Sequence, residues 1–254
     1  MSGDIDTIRA RAERAGVFVD FDGTLSEIAP TPEAAVAVPG ASEALERLAE
    51  RFAVVAVVSG RPAAEVRAKL GDPTGVRWSG LYGLDEAGGA AGSSLPGDPG
   101  AAATLLAAVQ VAVEDLEGIR LEPKGPTAAV HYRDARDPDG VRAMLLDRLA
   151  TIAEDAGLRL IEGKRVVELA PRDAPTKGDV VRRHGRGLDA LLYAGDDLAD
   201  LPAFGAVDEA TAAGAAGVKV AVRSQEAPRE LLQAADLVVD GPPDLVRLLK
   251  RLAA

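Results

Sequence analysis

The sequence predicts an α/β protein: a Rossmann-like, doubly wound parallel sheet with a smaller α+β module inserted between its two halves. Three observations carry this. Short apolar runs alternate with amphipathic helical segments up to Tyr82-Gly83, and the same alternation resumes from Pro175 to the end. Between them, residues 87 to 100 are rich in Gly, Ala, Ser and Pro and mark a connection, after which helix and hairpin patterns replace the alternation. At 254 residues the chain can bury a full core, as one large domain or two small ones.

The elements follow in order. Val17-Phe18-Val19 predicts a strand, and residues 41–51 an amphipathic helix with Leu45 and Leu48 on one face. Residues 53–58 form a continuous apolar strand, 62–70 a helix opened by proline, and 76–81 another strand. In the inserted part a helix over 101–116 precedes paired strands at 119–122 and 127–132. Asp137-Pro138 starts a helix that runs to Ala156 and stops at Gly157, with Val141, Leu145, Leu149 and Ile152 as its core stripe. A second strand pair, 159–161 and 166–169, turns at Gly163-Lys164. After Pro175 the pattern predicts a helix at 178–183, strands at 190–194, 218–222 and 237–239, and a closing helix at 243–252.

Composition narrows the function. Hydrophobic residues make up 47% and aromatics 3%, so Ala, Val and Leu must fill the interior. Cysteine is absent, which removes disulfides, thiolate metal sites and cysteine-based phosphatase chemistry. The net charge of −11 argues against nucleic acid and anionic membranes as partners. Residues 1–15 lack an apolar signal core, and no apolar segment is long enough to span a bilayer; the expectation is a cytoplasmic monomer.

Asp20-Phe21-Asp22-Gly23-Thr24 directly follows the first strand. Two carboxylates two residues apart project into the same space, Gly23 permits a sharp turn, and Thr24 offers a hydroxyl and an amide to an anion. Two like charges this close are costly unless a cation or a shared proton relieves them. The arrangement predicts metal-assisted phosphoryl transfer, one Asp attacking phosphorus and the other handling the leaving-group proton. A surface turn would explain the Asp and Gly, but neither the hydrophobic lead-in nor the second acid.

Three further motifs sit just past predicted strands or at helix starts, where open α/β sheets bind ligands. Ser59-Gly60-Arg61 offers a hydroxyl and adjacent amides to an oxyanion, although a helix cap accounts equally well for Ser59 alone. Lys177 opens a helix, where a cation opposes the helix dipole and is poorly explained by stability. Gly195-Asp196-Asp197-Leu198-Ala199-Asp200 concentrates acids after a strand and suits Mg²⁺, which prefers carboxylate oxygens, water and phosphate.

Taken together, Asp-x-Asp-Gly-Thr, Ser, Lys and Gly-Asp-Asp resemble the haloacid dehalogenase superfamily, and Asp22 resembles the mark of its phosphatases. Gly80-Leu81-Tyr82-Gly83 ahead of the insertion, and within it Lys124 followed by Ala129-Val130-His131-Tyr132-Arg133 and Gly163-Lys164-Arg165-Val166-Val167-Glu168, resemble the trehalose-6-phosphate phosphatases. The resemblance runs from about Gly16 to Leu249. It departs where Ala199 replaces the family's Thr, and where Leu201 and Pro202 replace later acids.

This resemblance implies a core of residues 1–96 and 171–254 and an inserted specificity cap at 97–170. The activity implied is Mg²⁺-dependent hydrolysis of trehalose 6-phosphate through an aspartyl-phosphate. Asp20, Asp22, Ser59 and Lys177 would be catalytic. The metal would lie on Asp20, the Asp22 carbonyl and Asp196, with Asp197 and Asp200 behind them. Thr24, Gly60 and Arg61 would bind the substrate at its phosphate. Glu168 would accept from sugar hydroxyls, Lys124, Arg133 and Lys164 would donate to those hydroxyls or to phosphate oxygens, and His131 would join them at the substrate. Alone, His131 reads as a packed histidine and Glu168 as a solvated acid. The module would act as a lid hinged near 88–100 and 171–175. A different sugar phosphate, sucrose-phosphate or mannosyl-phosphoglycerate in type, is the first alternative. A phospho-accepting signalling domain and a silent sugar-phosphate binder are the others. Neither of these last two needs the insertion together with Asp22.

Overall fold

Apolar runs that are buried on both sides become the strands of a parallel sheet, and this chain supplies them at regular intervals. The computed structural model describes residues 2–29, 31–87, 99–124, 127–163 and 165–254. In chain order its elements are α1 (Ser2–Ala10), β1 (Ala15–Val19), α2 (Ala41–Ala49), β2 (Val54–Val58), α3 (Ala63–Lys69), β3 (Arg77–Gly80) and β4 (Asp85–Ala87). Then come α4 (Pro99–Val113), β5 (Arg120–Lys124), β6 (Thr127–His131), α5 (Pro138–Asp155), β7 (Leu158–Gly163) and β8 (Val166–Pro171). The remainder is α6 (Lys177–Gly185), β9 (Ala190–Gly195), α7 (Leu201–Ala212), β10 (Ala216–Arg223), α8 (Arg229–Ala234), β11 (Leu237–Asp240) and α9 (Pro242–Ala253). The chain divides into two compact units, Met1–Ala91 with Pro175–Ala254, and Gly92–Ala174.

The first unit holds a seven-stranded sheet in the order β11-β10-β9-β1-β2-β3-β4. It is parallel except for β4, which runs antiparallel to β3. β1 lies at the centre, with Val17 level with Val55 of β2 and Leu192 of β9. Alternate residues go to opposite layers. Val17, Val19, Val55, Val57, Leu192 and Ala194 pack with Ile5 and Ile8 of α1, Leu45 and Leu48 of α2, and Leu245 and Leu249 of α9. Phe18, Ala56, Val58, Leu191 and Tyr193 pack with Val180 and Val181 of α6, Phe204 of α7 and Leu231 of α8. Helices on both faces of a mostly parallel sheet make this the doubly wound α/β class that the pattern predicts.

Four elements escape that pattern. α1 is short and mostly polar, and among its described side chains Ile5 and Ile8 anchor it. β4 is three residues long and follows a turn. α7 begins with Leu201-Pro202 and contains Gly205, and α8 has six residues. Helices this short or this rich in small residues give weak periodicity, and tertiary packing decides them.

The second unit is a four-stranded antiparallel sheet, β5-β6-β8-β7. Ala128, Val130, Val167 and Leu169 from one face pack against Leu105 and Val109 of α4 and Leu145 and Leu149 of α5. α5 starts where Asp137 caps it by accepting from the Gly140 amide, and stops at Gly157, whose φ is +66°. No described helix is long and apolar enough to cross a membrane.

Candidate functional site

β9, β1 and β2 are parallel neighbours, so their carboxyl ends open on the same edge of the sheet. Asp20 leaves β1 there, its amide donating to the Ala194 carbonyl at 2.9 Å. Ser59 follows β2, and Asp196 follows β9. Lys177 is the first residue of α6, a helix fixed by a reciprocal cap between Thr176 and Asp179. The topology thus brings together four groups that are up to 176 positions apart in sequence (Asp20 to Asp196).

Their contacts are dense. The Lys177 ammonium lies 2.8 Å from Asp20 Oδ1 and 2.7 Å from Asp200 Oδ1. The side chains of Lys177, Asp20 and Asp200 are 4%, 6% and 0% exposed, so these ions have almost no water to screen them. Burial pushes the Asp20 carboxyl up to about 7; Lys177 opposes that shift, and Asp200 and Asp22 add to it. Burial disfavours the charge on Lys177, but Asp20 and Asp200 outweigh it and raise its pKa. Asp200 takes four donors. Oδ1 accepts from Lys177 and, at 2.6 Å, from the Tyr193 hydroxyl; Oδ2 accepts from the amides of Asp196 and Asp197, each at 2.9 Å.

Two glycines make room for this packing. A side chain on Gly23, at φ +74°, would collide with the Asp196 carboxylate, and one on Gly195 would collide with that of Asp200. Thr24 is fully buried and donates its hydroxyl to Asp196 Oδ1 at 3.2 Å. Thr24, expected at the substrate, is therefore on the acid that follows β9. Asp197 accepts from the Leu198 amide and, with Asp200, caps the turn at 198–200.

Asp22 sits at the rim, its side chain 44% exposed. Arg61 meets it with a two-pronged hydrogen bond, Nε to Oδ2 at 2.6 Å and Nη2 to Oδ1 at 2.7 Å. The same guanidinium donates to the Pro32 carbonyl at 2.8 Å, pairs with Glu65 and lies 5.7 Å from the centre of the Phe21 ring. Burial works against the Arg61 charge, but Asp22 and Glu65 raise its pKa. The side chain expected to bind substrate thus orients Asp22. Ser59 is buried and its Oγ accepts from the Arg61 amide at 3.1 Å, the local cap that its position allowed. Behind it, Leu81 and Tyr82 both take left-handed φ, +47° and +60°, and their amides donate to the Arg61 and Ser59 carbonyls. Such conformations cost about 1–3 kcal/mol each, so the turn that holds this loop is strained. A side chain on Gly60 would collide with the Tyr82 ring hydroxyl.

Among the described residues Asp20, Asp196 and Asp200 form a cluster whose oxygens lie within 4.8 Å of one another. Hard carboxylate oxygens of this kind fit Mg²⁺. Because both Asp200 oxygens already accept two donors, Asp20 and Asp196 are the members suited to face a cation.

The residues expected at the sugar lie in the second unit. Lys124 ends β5, and Arg133 lies in the turn after β6. Lys164 lies outside the described residues, as does most of the 88–100 segment read as a hinge. Glu122, Ala129, Glu168 and Ile161 are level across four strands, on the face turned away from α4 and α5. On the same face, His131 Nε2 is 2.6 Å from Glu122 Oε2, a partner that the sequence reading missed. A histidine and a carboxylate at alternate positions of facing strands are the signal that finds such a pair. Glu168 is only 2% exposed, so it is not the solvated acid that its hairpin suggests in isolation.

Residues 18–237 match the family described as trehalose-phosphatase. A trehalose-phosphate phosphatase of Mycobacterium avium is 35% identical over 265 residues, covering 100% of this chain and 65% of that protein. An uncharacterized glycosyl hydrolase of Mycobacterium tuberculosis is 35% identical over 257 residues, covering 94% of this chain and 18% of that protein. This chain thus spans just under two thirds of the first of these curated relatives and a small part of the second. Among solved structures, the C-terminal domain of a Candida albicans trehalose-6-phosphate phosphatase superimposes with a TM-score of 0.83 at 23% identity, covering 99% of this chain and 96% of that one.

Proposed function

The chain belongs to the trehalose-phosphatase family, and from that premise we propose that it hydrolyses trehalose 6-phosphate to trehalose and phosphate. The observation that carries the reading is the buried Asp20–Lys177–Asp200 arrangement at the carboxyl ends of β9, β1 and β2, beside Ser59 and Asp196.

In this mechanism an Asp20 oxygen attacks phosphorus in line, the bond from phosphorus to the sugar oxygen breaks, and an aspartyl-phosphate forms. Asp22 delivers a proton to the departing sugar oxygen. It then takes one from the water that attacks the aspartyl-phosphate, which releases phosphate and restores both acids. Ser59 and Lys177 hold the phosphoryl oxygens as charge redistributes, with the Gly60 amide beside them, while Thr24 holds the Asp196 carboxylate. Arg61 aims the Asp22 carboxylate. Asp20, the Asp22 carbonyl and Asp196 would hold Mg²⁺. When bound there, Mg²⁺ supplies positive charge that keeps Asp20 ionised and offsets the charge of the phosphate.

Sugar selection is assigned to the second unit, to Lys124, His131, Arg133, Lys164 and Glu168. Support comes from the polar face that carries Glu122, His131 and Glu168, together with the family match across the whole insertion. A substrate read by hydrogen-bonding side chains needs acceptors such as Glu168 and donors such as lysine and arginine. The test is phosphate release from trehalose 6-phosphate, sucrose 6-phosphate, glucose 6-phosphate and mannosyl-phosphoglycerate, with and without EDTA. Metal-dependent turnover that favours trehalose 6-phosphate is expected. A preference for another ester overturns the substrate, and a stable phosphoprotein without turnover overturns the reaction.

A further inference from the structure

We infer that Tyr193 is a positioning residue whose hydroxyl, acting through Asp200, sets how Lys177 is shared between Asp200 and the reacting end of the site. This rests on the phosphatase reading above for what Lys177 does.

Tyr193 is fully buried in β9, two residues before Gly195-Asp196. A phenol in such a place needs a partner for its hydroxyl. Its ring meets Phe204 edge-on, with centroids 6.1 Å apart and planes at 81°, which packing alone would explain. The hydroxyl is what packing does not explain: it donates at 2.6 Å to Asp200 Oδ1, the same oxygen that Lys177 contacts at 2.7 Å.

The other Asp200 oxygen is already taken by the Asp196 and Asp197 amides, so the hydroxyl completes the set of four donors. Each donor draws on the same carboxylate charge. With the hydroxyl present, Oδ1 pulls less strongly on the ammonium, and Lys177 stays within 2.8 Å of Asp20. Without it, one acceptor position of a buried carboxylate is empty, and the nearest compensation is a shift of Lys177 toward Asp200. That shift would carry the ammonium away from Asp20 and from a phosphoryl oxygen bound there. A catalytic group displaced by a fraction of an ångström loses much of its effect. Burial, reinforced by Asp200 and Asp20, pushes the phenol well above its ordinary range, so the hydroxyl keeps its proton and remains a donor.

Tyr193→Phe keeps the ring and removes only the hydroxyl. In the full chain with Mg²⁺, kcat on trehalose 6-phosphate should fall about tenfold while KM stays within about twofold, because a hydrogen bond to a charged group is lost without loss of substrate contacts. The decisive readout is coupling. In an Asp200→Asn background the same substitution should change kcat by less than about twofold, since the group it acts through has been altered. Orthovanadate binding in Mg²⁺, followed by calorimetry, gives the same cycle without turnover: about fivefold weaker in Tyr193→Phe, with little further change on Asp200→Asn. Equal losses in both backgrounds would make Tyr193 a core residue and overturn the proposal, as would wild-type behaviour of Tyr193→Phe. If the wild-type protein binds orthovanadate with this coupling but releases no phosphate from any ester, the phosphatase reading fails and the Tyr193 assignment stands. If it turns over normally and the coupling is absent, the reverse holds.

Discussion

The two units use polar groups in different ways. In the larger one, Asp20, Lys177 and Asp200 are almost fully buried and held in fixed partnerships between α6 and the ends of β1 and β9. On the smaller unit's sheet, His131 and Glu122 pair at 21% and 22% exposure, partly in reach of water. Buried charges acting on one another at short range create a strong, preorganised field, the condition for covalent chemistry on a phosphate. Hydrogen-bonding groups that water partly reaches recognise hydroxyls with little reorganisation of charge. On the proposed function the comparison separates a reacting centre from a reading surface, and substitutions in each should differ in kind as well as in size.

The largest effect should come from Asp20→Asn. Loss of the nucleophile should reduce phosphate release by about 10⁴-fold or more on every ester, while the protein remains folded by circular dichroism. Residual turnover near the wild-type rate would remove Asp20 from the reacting centre and erase the distinction. Next is Glu168→Gln, which sharpens it. Hydrolysis of trehalose 6-phosphate should fall about 10²-fold, because remote contacts help to position the reacting phosphate, whereas p-nitrophenyl phosphate should be cleaved within about threefold of wild type. Equal loss on both would place Glu168, which is buried, in the fold of its own sheet.

The third effect is on pH. Asp20, raised to about 7 by burial, must lose its proton before it can hold a cation. Apparent Mg²⁺ affinity should therefore fall about tenfold for each pH unit below 7 and level off above it. The same shift acts on stability when the metal is chelated. The folded chain keeps a proton on Asp20 that the unfolded chain has already released, so this group's contribution is full below the ordinary carboxylate range and declines as pH rises to about 7. Denaturation midpoints in EDTA, compared between wild type and Asp20→Asn, should show that slope only in the wild type.

How far these features are legible in the sequence depends on which forces encode them. The parallel strands are plain because both their faces are buried, and runs such as Val54–Val58 have no polar interruption. Asp20, Ser59, Lys177 and Asp196 are legible because each follows a strand or opens a helix, where side chains of these types have few structural reasons to be. The partners of those residues are less so. Nothing local to Arg61 says that its guanidinium will meet Asp22, 39 positions away, and nothing local to Tyr193 says that its hydroxyl will meet Asp200. Such pairs come from the crossover of the chain through the sheet. α7, rich in small residues, and α8, only six residues long, are hidden for a related reason, since packing against the sheet rather than periodicity makes them helical.

The smallest expected effect tests whether the buried centre depends on the surface around it. Lys177 opens α6 and Asp200 immediately precedes α7, so the relative placement of these two helices sets the Lys177–Asp200 contact. On their outer surface Arg182 of α6 grips Glu209 of α7 through two hydrogen bonds, at 2.7 and 2.8 Å. Both side chains are largely exposed, at 42% and 59%, and a pair in that setting is weakened by water and salt. Beneath it the helices are already fixed by close backbone approach: a side chain on Gly178 would collide with the Pro202 carbonyl. Arg182→Ala should therefore lower the melting temperature by no more than a few degrees and leave kcat and KM unchanged. A loss of kcat that is restored by Arg182→Lys would show that the surface pair steers Lys177, and the reacting centre would then extend to the outside of the fold.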